Sequence, residues 1–99
     1  MPRQAVEERF EMNPPAEVRG SGRYAFWLTT EERRLLIAVR AMSCVASMKR
    51  SRSTGRVLVE ISDDHDPDEA WHWIRTELEE VVNYVELDPI WERAIRWVL

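Results

Sequence analysis

The groups in this 99-residue chain most capable of chemistry are Cys44, His65, His72 and the acidic run Asp63-Asp64-His65-Asp66-Pro67-Asp68-Glu69. Nucleophilic catalysis would set Cys44 or a serine beside a histidine. Cys44 instead shares an apolar helical stripe with Ile37, Ala41 and Met48, where a cysteine acts as a small inert hydrophobe. Asp64, Asp66 and Asp68 imitate the opening of an EF-hand loop. Its sixth position is Glu69 where the turn needs glycine, and its twelfth is Arg75 where the ion needs a bidentate acid. His65 with Asp63, Asp66 or His72 is the remaining metal set, and it has no cysteine close in sequence to complete it. Gly20-x-Gly22-x-x-Ala25 has dinucleotide-fingerprint spacing, but it precedes a strand, whereas the fingerprint follows one and opens a helix. No catalytic, cofactor-binding or metal residue is therefore assigned, and the expectation is a protein that is not an enzyme. The acidic run reads as helix capping: Asp66 as N-cap, Pro67 at the first helical position, and Asp68 and Glu69 complementing the helix dipole.

The elements that must position any surface follow from periodicity. Residues 5–12 hold Val6, Phe10 and Met12 in a broken alternation, read as strand or irregular structure, and Asn13-Pro14-Pro15 ends it. The segment to Gly22 reads as loop. Tyr24, Phe26 and Leu28 alternate with Ala25 and Trp27, a strand, and Thr29 with Glu32 suggests a capping box opening a helix over 30–49. That helix would be apolar on two opposite sides, with Leu35, Val39, Met42 and Ala46 facing one way and the Cys44 stripe the other, so it belongs at the centre of the fold or in an oligomer seam. A polar basic loop over 49–56 leads to a strand at Val57, Val59 and Ile61, expected parallel to the first through a right-handed crossover. A helix from Pro67 to about Leu87 buries Ala70, Trp71, Ile74, Leu78, Val81, Val82 and Val85. Asp88-Pro89 opens a short last helix with Ile90, Ala94, Ile95 and Val98 inward. The fold class is α+β, a small single domain over 1–99 with two or three strands, a central helix and two C-terminal helices, in the order β-β-α-β-α-α. Residues 1–22 form its N-terminal strand and loop.

Charge divides this domain. Residues 1–56 carry 11 Arg/Lys against 6 Asp/Glu, and residues 57–99 carry 3 against 12. Such asymmetry bears on partners and association rates, not on fold. No apolar run approaches the roughly 18 residues of a membrane span. One cysteine and an N-terminus lacking an apolar stretch point to a reducing compartment, with cytoplasm expected.

Five tryptophans in 99 residues exceed what a small core needs. Trp27, Trp71 and Trp91 are assigned to the interior. Trp73 and Tyr84 lie about 110° and 90° from the centre of the apolar stripe by helical geometry, and Trp97 borders the last helix. Trp73, Tyr84 and Trp97 are accordingly expected as apolar anchors in an interface, with Glu77, Glu80 and His72 around them. The acidic half suits a partner with a basic surface, so the expected function is a protein–protein adaptor, regulator or inhibitor, with self-association also in view. The alternative is nucleic-acid binding through Lys49, Arg50, Arg52 and Arg56. Against it stand a sequence pI of about 5.2 and no aromatics among these arginines to stack bases.

Overall fold

The computed structural model describes residues 9–87, with side chains through residue 83. Its elements are β1 (Glu11–Met12), β2 (Ala16–Glu17), β3 (Tyr24–Thr29), α1 (Arg33–Arg40), β4 (Val45–Arg50), β5 (Val57–Ile61) and α2 (Pro67–Leu87). The α+β class holds. The expected strand count does not: five strands form one antiparallel sheet in the order β1-β3-β5-β4, with β2 also on β3. The observed order is β-β-β-α-β-β-α, and the expected last helix, with Trp91 and Trp97, lies outside the described residues.

The largest departure is the helix expected over 30–49. It ends at Arg40, where Met42 N–H bonds Val39 O (3.0 Å) and Val45 N–H bonds Met42 O (3.1 Å), turning the chain back as β4. Residues 45–50 then pair with 57–61 in a hairpin, from Val45 opposite Ile61 to Arg50 opposite Val57. The two opposed apolar stripes were a helix and a strand read as one element. Long-range ladder bonds outweigh helix propensity, which is worth under about 1 kcal/mol per residue. The connection expected as a parallel crossover becomes antiparallel for the same reason: β3 runs against β5, with Phe26 opposite Val59 and Leu28 opposite Val57. The basic loop is the turn of that hairpin, closed by Ser51 N–H to Arg56 O and Gly55 N–H to Ser51 O, both 2.8 Å.

Thr29 does not cap α1. It is the last residue of β3, and Glu32, the residue before α1, makes no side-chain cap bond. Thr30 does the local work, its Oγ1 accepting from Glu32 N–H at 3.1 Å and donating to Arg9 O at 2.9 Å. The α2 start follows the sequence expectation, with Glu69 N–H donating to Asp66 Oδ2 at 3.1 Å and Pro67 as the first helical residue.

Phe26 and Leu28 of β3 and Val57, Val59 and Ile61 of β5 share one sheet face. There they meet Leu35 and Val39 of α1 and Ala70, Ile74, Leu78 and Val82 of α2 in a single core closed by Phe10, Met12 and Cys44. Burial of each large side chain contributes roughly 1.5–3 kcal/mol. Trp27, assigned to the interior, instead projects with Leu58 from the other sheet face and is half-buried. Trp71 is also only half-buried, its ring N–H donating to Asn13 O at 2.7 Å. Among the described residues no helix is long and apolar enough to cross a membrane.

Candidate interaction surfaces

Among the described residues two large apolar side chains stand out in solvent, Trp73 at 43% exposure and Ile37 at 59%, and they lie in surroundings of opposite charge. Trp73 belongs to α2. Successive helical residues are 100° apart, so positions 69, 73, 77, 80 and 84 line one flank of the helix beside its buried stripe. Glu69 and Glu80 on this flank are exposed and Glu77 is half-buried. The backbone of Tyr84 continues the same line, while its side chain lies outside the described ones. Arg75 is the one basic residue within α2. It lies on the other flank, its guanidinium 5.7 Å from the Phe10 ring centroid and 5.9 Å from that of Trp71, paired with Glu79 at 3.1 Å. The Trp73 flank thus presents an indole among carboxylates without a compensating cation from its own helix. His65 packs against it, with ring centroids 6.3 Å apart.

His72, expected beside Trp73, turns away: its ring meets Trp71 edge-on at 5.0 Å. Trp73, Glu77 and Glu80 therefore share a surface that His72 does not, and Trp97 lies outside the described residues.

The basic residues singled out in the sequence lie on the β4–β5 hairpin. Lys49 and Arg50 finish β4 and Arg52 sits in the hairpin turn, all exposed. Arg56 is half-buried with its guanidinium 4.8 Å above the Trp27 ring, so an aromatic does accompany the arginines. Periodicity could not show this pair, because Trp27 and Arg56 meet only through the β3–β5 pairing. Between α1 and the hairpin lies an open trough of about 840 Å³ lined by Arg33, Leu36, Ile37, Arg40, Met48, Arg50, Thr54 and Val57, among others. Sequence reasoning missed this trough, since it had placed Ile37 and Met48 on one continuous helix.

Among the described residues two groups have shifted proton affinities. The Glu32 carboxylate accepts from the Arg9 guanidinium, at 2.6 Å from Nη2, and from Arg34 Nη2 at 2.6 Å. The Arg9 hydrogen bond, with the charges of Arg9 and Arg34, holds its pKa below the usual 4.5 against an opposing push from partial burial. Glu32 thereby clamps the segment before β1 to the start of α1. Cys44 is fully buried, and burial pushes its thiol above the usual 9.0. A thiol in that setting stays protonated and packs as a hydrophobe.

Comparison with family models, curated proteins and solved structures finds no match. The functional reading rests on these surfaces.

Proposed function

We propose that the protein is a non-enzymatic protein–protein interaction module that engages a basic protein surface through the Trp73 flank of α2. The observation that carries this reading is the 43% exposure of Trp73 beside Glu69, Glu77 and Glu80, on a helix whose only cation is turned to the other flank. An exposed indole supplies contact area with few rotors, and the surrounding carboxylates steer a cationic partner and select against an anionic one. Tyr84 extends the surface along α2, and Trp97 is proposed as a further anchor. The setting we propose is cytoplasmic, and the roles open to such a module are adaptor, regulator or inhibitor.

The test is affinity capture with the wild-type chain, Trp73→Ala and Glu80→Lys, followed by mass measurement and light scattering of the recovered complex. The expected result is a basic partner held by the wild type, lost on Trp73→Ala and weakened on Glu80→Lys and by added salt. A partner retained equally by all three chains overturns the reading.

A further inference from the structure

We infer that the edge of β4 left unpaired among the described residues is a second binding site, built to accept an extended acidic polypeptide segment as an added strand. The inference concerns a different surface from the Trp73 flank and does not depend on it.

Strand β4 closes the sheet order β1-β3-β5-β4 and, among the described residues, pairs on one side only, with β5. In an antiparallel ladder, residues alternate between exchanging hydrogen bonds with the partner strand and turning their N–H and C=O away from it. The ladder bond from Ser51 N–H to Arg56 O sets the phase, so the backbone groups of Met48 and Arg50 point outward from the edge. These are the donors and acceptors that strand addition uses.

The surroundings of that edge define what it would take. The 840 Å³ trough touches β4 at Met48 and Arg50 and reaches past Val57 to Thr29 and Thr30 at the end of β3. A second hollow of about 380 Å³, lined by Arg40, Val45, Ala46, Ser47 and Met48, lies along the strand. The two linings share Arg40 and Met48, so both hollows border the strand, the trough being the larger. Its apolar contribution is Leu36, Met48 and the 59%-exposed Ile37, which fits alternate apolar side chains of an incoming strand. Its charge comes from Arg33, Arg40 and Arg50, all exposed, with Glu31 the one acid in the lining. Arg33 and Arg40 have no carboxylate partner among the described residues.

This charge selects the occupant. Edge strands are commonly protected by basic side chains and bulges, and β4 has both: Lys49, Arg50 and a register shift between Val45 and Ser47. Two copies of β4 would bring like charges together, which disfavours pairing between copies. An acidic strand meets the same residues as attraction, and a guanidinium accepts a carboxylate in bidentate geometry.

The test uses the full chain and a fluorescently labelled synthetic peptide of about eight residues alternating Glu and Val, long enough to cover β4. Controls are the same peptide with Lys for Glu, a version N-methylated at alternate amides in each of the two registers, and a single-stranded oligonucleotide. The Glu/Val peptide should bind in a salt-sensitive manner. The Lys peptide should not bind, and N-methylation in one register but not the other should abolish the signal. Ile37→Asp and Arg40→Glu change exposed side chains, so the fold should survive; each should weaken binding about tenfold. Trp73→Ala should leave peptide affinity unchanged, which separates this site from the α2 surface. The inference is overturned if the acidic peptide fails to bind at low salt. Equal binding of both N-methylated peptides would show charge attraction without strand addition and also overturns it, as does preferential binding of the oligonucleotide or indifference to Arg40→Glu.

Discussion

At the level of single residues, the two adjacent tryptophans of α2 make a sharp contrast. Trp71 is half-buried and donates a 2.7 Å hydrogen bond to Asn13 O, whereas Trp73 is 43% exposed. Trp71→Phe should lower unfolding stability by about 0.5–1.5 kcal/mol, the net worth of one hydrogen bond, while Trp73→Ala should stay within about 0.5 kcal/mol of wild type. Urea midpoints measure both, and a large loss at Trp73 would place it in the core. Glu32 predicts a pH dependence. Its folded pKa lies below the usual 4.5, so the unfolded chain binds that proton more readily. The stabilisation is fully present above about pH 4.5 and is lost as pH falls through the lower folded value. Between pH 5 and 3 the urea midpoint of wild type should fall more steeply than that of Glu32→Gln. Parallel curves would remove the Arg9–Glu32–Arg34 clamp from the account of stability.

Among the elements, α2 and the β3 strand were legible because local signals agreed with tertiary ones. Asp66-Pro67-Asp68-Glu69 supplies the cap, and Ala70, Ile74, Leu78 and Val82 supply the buried stripe. Asp66→Ala should cost about 1 kcal/mol. For a domain of this size that lowers the melting temperature by roughly 4–8 °C, and an unchanged value would deny Asp66 its capping role. Residues 33–50 were not legible as two elements. Leu35 and Val39 show helical spacing, and Met42 and Ala46 continue it by coincidence, so nothing local marks the break at Arg40. The deciding interaction is the pairing of β4 with β5 across the turn, which one strand's sequence cannot reveal. Gly55, at φ +75°, is the local trace of that turn. Gly55→Ala meets no neighbour within 4 Å, so its cost is the left-handed backbone alone, about 1–2 kcal/mol. A circular-dichroism melt indistinguishable from wild type would contradict that conformation. The trough between α1 and the hairpin was invisible for the same reason as the strand itself.

Across the whole molecule, the split in sequence charge becomes a difference between elements. Carboxylates of the 63–69 loop and the Trp73 flank lie on α2 and its approach, while Arg33, Arg40, Lys49, Arg50 and Arg52 gather around α1 and the hairpin. Both helices pack on one sheet face over a single core, and each carries one exposed large apolar side chain, Trp73 on α2 and Ile37 on α1. Association should therefore be faster at low ionic strength, with loss of steering as the screening length shrinks toward about 8 Å at physiological salt. The most direct measurement is quantitative capture by wild type and by Trp73→Ala at matched concentration, with both chains verified as folded. A basic protein bound by the wild type and lost from the variant is the predicted result. An identical set of bound proteins for the two chains would contradict the claim that this indole anchors a partner.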